Sequence, residues 1–308
     1  MSAAYLSHPS CLRHDMGSYH PETAARITAV ADRLLMTGLM DVMAPFEAPK
    51  ATQEQILRAH TGLHYANLVD LSPQEGMVAV DPDTSMNPFT LEAALHAAGA
   101  LVKATELVYG GEFTRAFCNV RPPGHHASSG QAMGFCFLNN VAVGVRHALD
   151  VLGLERALLV DFDVHHGNGS EEIFANDDRV LMVSTFERDL YPFSGDVPLG
   201  ANCVNVPLPA YSDGEAMRRA VEQHWMPAID AFAPQMVFVS AGFDAHRDDD
   251  LSRLGWRDTD YAWVTRRIVE VAERHAGGRI VSTLEGGYNL PALARSCELH
   301  VRALLGLD

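Results

Sequence analysis

The stretch Ala157-Leu158-Leu159-Val160-Asp161-Phe162-Asp163-Val164-His165-His166-Gly167-Asn168-Gly169 passes from four apolar residues straight into acids, imidazoles and glycines. A short run that is apolar throughout reads as a strand covered on both faces, the kind that builds parallel sheets. Four more runs share the form: residues 116–118, 180–183, 236–239 and 280–284. Helical periodicity lies between them. Ile27, Val30, Leu34 and Leu35 fall on one face after Pro21 and before Gly38. Leu91, Leu95, Ala98 and Val102 repeat the pattern until Gly110-Gly111, and residues 140–152, 213–232, 258–275 and 290–305 are further helices. Strands alternating with helices make the chain α/β. Without repeats, low-complexity segments or a Gly/Ser/Pro-rich linker, residues 1–308 are expected to form a single domain.

The residues just past each apolar run carry the chemistry. Residues 116–118 lead to Arg121-Pro122-Pro123-Gly124-His125-His126, and residues 180–183 lead into Ser184. Residues 236–239 lead to Gly242-Phe243-Asp244, and residues 280–284 lead to Glu285-Gly286-Gly287-Tyr288. Open α/β sheets bind ligands at the carboxyl ends of their strands, so these groups are expected to converge on one site.

Composition removes several functions. Across 308 residues, 23 Lys+Arg stand against 39 Asp+Glu, a formal charge of −16. A grip on nucleic-acid phosphates needs a basic face, so nucleic acid is not expected as a partner. An acidic surface steers cationic substrates instead. No apolar run reaches the ~20 residues of a membrane span, and no membrane association is expected. Residues 1–9 lack the basic and apolar segments of a signal peptide. The five cysteines (Cys11, Cys118, Cys136, Cys203, Cys297) include no CxxC pair. Together these point to a cytoplasmic protein with reduced thiols. A homo-oligomer is left open.

Asp163 and His165 sit two apart, so on an extended segment both side chains point the same way. With Asp244 from another strand they would leave an open position on a zinc-like ion, as catalytic sites do, and a water there becomes a usable nucleophile. A lone Asp or His is more often a cap or a core residue; the Asp-x-Asp-x-His-His-Gly string at a strand end is not of that kind. Each of His125 and His126 needs a partner to fix its tautomer, and Asp161 and Asn168 are the candidates. A histidine facing Asp is more basic than one facing Asn, which splits the pair into two roles. Tyr288, in a glycine-rich turn, would donate its hydroxyl to a developing oxyanion.

Other signals read as structural. His60 and His64 have i,i+4 spacing but no carboxylate pattern beside them. His246, two after Asp244, is taken as structural or as support for the site. Arg247-Asp248-Asp249-Asp250 reads as a solvated loop, and Cys136 has no base paired with it.

These residues together resemble the histone deacetylase family in its broad sense, which includes acetoin-utilisation proteins and acetylpolyamine amidohydrolases. The resemblance runs from His20-Pro21-Glu22 and Arg26 through Arg121–Ala127, Gly134-Phe135-Cys136, Asp161–Gly169 and Ala241–Asp244 to Glu285–Asn289, nearly the whole chain. Arg-Pro-Pro-Gly-His-His-Ala and Asn168 look like the class II branch. The resemblance implies an arginase/deacetylase fold with a central eight-stranded parallel sheet. It implies zinc, or ferrous iron, at Asp163, His165 and Asp244, His126 as general base and then acid, and His125 with Asp161 as an electrostatic and positioning pair. Tyr288 would polarise the amide carbonyl. A structural potassium is implied at the backbone carbonyls of Asp161, Asp163, His165 and Thr185, with side-chain oxygens of Asp161 and Ser184. Phe135 and Tyr191 resemble the aromatic tunnel walls, joined by Gly134 and Gly286. Asp83 is similar to the rim aspartate that holds the substrate backbone, and Arg26 to the internal arginine of the acetate-release channel.

The chain departs from the family at Thr185-Phe186, where Leu-His or Ile-His is usual, and at Tyr191, where Phe is commoner. Both bear on acyl-chain preference. Asp249-Asp250-Leu251 resembles the Asp-Pro-Leu of lysine deacetylases, whereas the polyamine-specific relative has Glu at the Leu251 position. The expected substrate is therefore an acylated lysine in a protein or peptide, with an acetylated polyamine or other small amide as the rival, and hydroxamate-type inhibitors are expected. Binuclear manganese ureohydrolase chemistry would want a carboxylate where His246 stands. A silent acyl-binding module would have no chemical need for the whole set of metal ligands, His126 and Tyr288.

Overall fold

The computed structural model describes residues 3–307. Its strands are β1 (Ala3–Ser7), β2 (Met43–Glu47), β3 (Val78–Ala79), β4 (Ser85–Met86), β5 (Arg115–Cys118), β6 (Ala157–Asp161), β7 (Val180–Glu187), β8 (Cys203–Leu208), β9 (Met236–Ala241) and β10 (Ile280–Leu284). Eight form one sheet in the order β2-β1-β5-β10-β9-β6-β7-β8, while β3 and β4 pair as a short antiparallel ribbon. Every pairing in the large sheet is parallel. The fold class is thus the α/β class read from the apolar runs, and the five runs are the five contiguous central strands.

The three strands without such a signal lie towards the edges. β2 buries only Met43 and contains the exposed Pro45. β8 is buried only at its two ends and contains Pro207. β1 is buried but spells only Ala-Ala-Tyr-Leu-Ser. A rule that looks for strands apolar on both faces finds only those covered on both faces.

Helices flank the sheet. Ala25–Met36 buries Ile27, Val30 and Leu34, but Leu35, expected on that face, is 65% exposed because it is rotated a step of about 100° from Leu34. Thr90–Tyr109 is buried almost all round by its alanines and leucines. Asn140–Asp150 starts where the Asn139 side chain accepts the Ala142 N–H, and Leu290–Leu305 starts where Asn289 does the same for Ala292. The expected helix over 213–232 is two α-helices, Gly214–Ala220 and Met226–Phe232, joined by a π turn. Gln53–Ile56, Gly62–Leu71 and Asn168–Phe174 were not expected from periodicity, being short. Ser184 also differs from expectation: β7 continues to Glu187, so Ser184 lies within the strand, in register with Asp161 of β6.

Candidate active site

The loops after β5, β6, β9 and β10 meet at the carboxyl edge of the sheet's centre. Asp163 and His165 follow β6, Asp244 follows the adjacent β9, and one ligand atom from each lies within 4.8 Å of the others. His165 Nδ1 stands 3.1 Å from Asp163 Oδ1 and 3.1 Å from Asp244 Oδ2. Backbone donors hold the outer oxygens: Gly286 N–H reaches Asp163 Oδ2 at 2.8 Å, and Val164 N–H reaches Asp244 Oδ1 at 3.0 Å. A Cβ at Gly286 would lie 2.1 Å from Asp244 Oδ2, so only glycine lets this backbone close over the cluster.

Burial makes two carboxylates here costly unless a cation accompanies them. Burial and the neighbouring Asp163 charge push Asp244 up to about 6. Burial also opposes charge on Asp163, but the His125 and His165 imidazoles outweigh it and hold Asp163 below its ordinary value. For His165, burial is outweighed by the two carboxylates, which raise it to about 10. A single imidazole proton thus sits between the two acids. Two carboxylates and an imidazole nitrogen around one point are the donor set a dication takes by displacing that proton.

His125 and His126 lie with ring centroids 4.0 Å apart. Their partners differ: His125 Nδ1 donates to Asp161 Oδ2 at 3.0 Å, and His126 Nδ1 donates to Asn168 Oδ1 at 2.8 Å. Burial works against charge on His125, but Asp163 and Asp161 overcome it and raise the group to about 10. His126 is pulled well below its ordinary value by burial and by the neighbouring His125 and His165. One histidine is therefore a cation and the other a neutral base whose Nε2 lone pair is free, with Asn168 setting the tautomer.

Glu285 ties the pair to the sheet. Its fully buried carboxylate accepts the N–H groups of Gly124 (2.7 Å) and His125 (3.2 Å) and the Ser240 hydroxyl (3.2 Å). The motif contains Glu285, but its partner loop is 160 residues away in sequence and only the fold reveals the contact.

A cavity of about 230 Å³ opens onto this cluster, lined by Asp83, His126, Gly134, Phe135, His165, Leu190, Tyr191, Leu251 and Tyr288. Leu190 was not expected there. Gly286 stands behind the two carboxylates rather than on the lining. Gly134 has φ +55°, and a Cβ on it would meet the His126 ring at 2.5 Å. Tyr191 packs edge-on to His126 at 5.3 Å, and Phe135 edge-on to Tyr288 at 5.9 Å. Burial drives the Tyr288 phenol well above its usual range, keeping it a hydrogen-bond donor. Behind Tyr288, Arg26 lies 4.8 Å from its ring and donates to the carbonyls of Gly287 (2.7 Å) and Glu285. Glu22, paired with Arg26 and bidentately with Arg121, completes this buried ion cluster. Of the side-chain oxygens implied for potassium, the Ser184 hydroxyl lies 3.2 Å from Asn205 Oδ1, and Asp161 Oδ1 accepts the Asp163 N–H at 3.1 Å.

The structure separates the other signals. His60 accepts the Asn139 N–H and faces the Ser128 carbonyl, and His64 donates to the Phe137 carbonyl; among the described residues no cluster of three metal-ligating groups includes either. His246 is pinned 3.1 Å from Asp258. Burial raises the Cys136 thiol well above its usual range. Asp249 is not part of a solvated loop: it is buried and accepts the N–H groups of Tyr288 (2.6 Å), Asn289 (3.0 Å) and Leu251 (3.1 Å), which fixes the tyrosine turn.

Comparison with known proteins places this geometry. The family model described as the histone deacetylase domain matches residues 20–304. A probable deacetylase of Archaeoglobus fulgidus is 35% identical over 100% of this chain and 88% of its own. The histone deacetylase-like amidohydrolase of Pseudomonas aeruginosa is 36% identical over 87% of this chain and 72% of its own. The crystal structure of the HDA15 HD domain superposes with a TM-score of 0.92 at 31% identity, covering 100% of this chain and 91% of that one. The eight-stranded parallel sheet is accordingly an arginase/deacetylase fold.

Proposed function

The chain belongs to the histone deacetylase family, and from that premise we propose that it is a zinc-dependent amidohydrolase that removes acetyl or other acyl groups from lysine side chains in proteins or peptides. The observation that carries this reading is the Asp163–His165–Asp244 cluster at the base of a cavity flanked by a neutral His126 and a protonated Tyr288. Residues 1–308 act as a single catalytic domain in the cytoplasm.

Asp163, His165 and Asp244 would hold the metal, zinc or ferrous iron, which when bound supplies Lewis acidity towards an amide carbonyl and acidifies a water. His126 Nε2 takes the proton of the attacking water and returns it to the departing amine. Asn168 keeps Nδ1 protonated so that Nε2 faces the reaction. His125, held as a cation by Asp161, favours the negative charge that builds beside it. Tyr288 donates its hydroxyl to the carbonyl oxygen as that oxygen becomes an oxyanion. Gly134, Phe135, Tyr191 and Leu251 enclose the alkyl chain, and Asp83 takes a donor at the mouth. Oxygens of Asp161, Asp163, His165, Ser184 and Thr185 would hold a structural potassium.

A second reading, acetylpolyamine hydrolysis, draws support from Asp81 and Asp83 at the mouth, where burial and the neighbouring Asp81 carboxylate raise Asp83 and a substrate ammonium would be welcome. The deciding experiment compares kcat/KM on an acetyl-lysine peptide and on an N-acetylated polyamine, with Asp163→Ala as blank. A preference above about tenfold for the peptide, ~1.4 kcal/mol, supports lysine deacylation. The reverse preference moves the protein to the polyamine reading.

A further inference from the structure

Among the described residues three aromatic side chains are strongly exposed: Tyr19 at 100%, Phe193 at 78% and Tyr211 at 78%. Single exposed apolar residues are ordinary on protein surfaces. These three are not scattered, because each stands on, or is hydrogen-bonded to, a segment that carries residues lining the catalytic cavity or the groove beside it. Tyr19 lines a groove of about 580 Å³ that shares Asp83 and Phe135 with that cavity. Phe193 lies two residues beyond Tyr191, and its N–H donates to the Leu190 carbonyl at 2.8 Å. The Tyr211 N–H donates to the Arg253 carbonyl at 2.9 Å, two residues from Leu251. Phe193 and Tyr211 have φ of 61° and 68°, left-handed conformations that disfavour side-chain-bearing residues. Local backbone bonds hold these two rings outward without any packing to reward the conformation.

The turns and loops around the mouth are acidic. Asp81, Asp83, Asp189, Asp196, Asp248 and Asp250 stand on them, against Arg188, Arg247 and Arg253. Asp196 and Asp248 pair with Arg188 and Arg247, and Glu187 pairs with Arg253, which leaves Asp81, Asp83, Asp189 and Asp250 as net negative charge. The mouth therefore combines aromatic faces with net carboxylate charge. Aromatic rings supply large, rigid contact area to a partner and attract guanidinium and ammonium groups over their faces.

We propose that Tyr19, Phe193 and Tyr211 form a rim that grips polypeptide on either side of the acylated lysine and favours cationic flanking residues. This rests on the deacylase reading for its substrate class. A flexible polyamine threading the cavity would engage only the rim carboxylates, whereas a peptide lying across the mouth spans separate loops and meets all three rings.

The test uses zinc-loaded protein and short labelled peptides with a central acetyl-lysine and arginine-, serine- or glutamate-rich flanks. Affinity is read by fluorescence anisotropy, and acetyl-lysine methylamide serves as a substrate without flanks. The arginine-flanked peptide is expected to bind about tenfold tighter than the glutamate-flanked one, with the gap narrowing as salt is added. Tyr19→Ser/Phe193→Asn/Tyr211→Asn should lose about tenfold in Kd for the arginine-flanked peptide, with kcat/KM on the methylamide unchanged. Tyr19→Ser alone, on a fully exposed residue, should move Kd in the same direction. Equal affinity for all flanks, an unchanged Kd in the variants, or an equal loss on the methylamide overturns the rim. Peptides that bind in the expected order while no acyl-lysine substrate is hydrolysed would support the rim and sink the deacylase reading.

Discussion

Two histidine pairs lie buried in this protein, and they make an instructive contrast. His60 and His64 have ring centroids 4.9 Å apart; His125 and His126 are 4.0 Å apart. Burial is common to both pairs, so burial does not distinguish them. Partners do. His60 and His64 meet only backbone groups, and burial together with the neighbouring ring drives His60 down to about 3, a neutral structural group. His125 meets Asp161 and Asp163 and is raised to about 10, while His126 meets an amide and stays neutral. The carboxylates turn one buried histidine into a cation; burial and the neighbouring His125 and His165 keep the other a neutral base, whose tautomer Asn168 sets.

Breaking that contrast at its partners should give the largest effect. Asn168→Ala and Asp161→Asn should each lower kcat about 10–100-fold, the usual cost of removing a group that orients a catalytic imidazole. Steady-state kinetics on an acetyl-lysine peptide read this out, with KM little changed. A loss confined to KM would mean that these residues bind substrate rather than set the imidazoles.

The structural pair should respond in stability, not in rate. His64→Ala leaves the buried Phe137 carbonyl without its donor, a cost of about 2 kcal/mol. Denaturant unfolding should show that loss, with kcat/KM of the folded enzyme unchanged. A rate effect as large as that of Asn168→Ala would erase the distinction between the pairs.

A further contrast concerns acid. His300 lies between the hydroxyls of Thr265 (2.7 Å) and Ser282 (2.9 Å), and burial lowers it, like His60, to about 3. Below its ordinary value of 6.5 the unfolded chain takes up a proton that the folded chain refuses. The stability these groups contribute is present above that pH and is lost as pH falls towards 3, at up to about 1.4 kcal/mol per pH unit for each group. His300→Gln should therefore lose less of its unfolding midpoint than the wild type between pH ~6.5 and ~5. An equal loss in both would show that the His300 ring is not buried as a neutral group.

The same distinction governs how much could be read from the chain alone. Asp163, His165, Asp244, His125, His126 and Tyr288 were legible because each comes just after an apolar run, and the runs are the sheet's central strands. Glu285 and Asp249 were not, although one holds the histidine turn and the other the tyrosine turn. Their partners lie 161 and 39 residues away, and no spacing rule reaches that far. Asp249 was misread as solvated because its acidic neighbours, Asp248 and Asp250, are indeed exposed. β2 and β8 escaped for the converse reason: strands at an edge need fewer buried residues, and so leave less trace, whereas β1 is buried and apolar but short of the branched residues that mark a strand.

Measuring bound metal and turnover together in His126→Ala and Asp163→Ala separates holding the metal from moving the proton. His126→Ala should retain metal at the wild-type level but lose about 10²–10⁴-fold in kcat, whereas Asp163→Ala should lose the metal itself. Near-full turnover in His126→Ala, or wild-type metal content in Asp163→Ala, would contradict that division of roles.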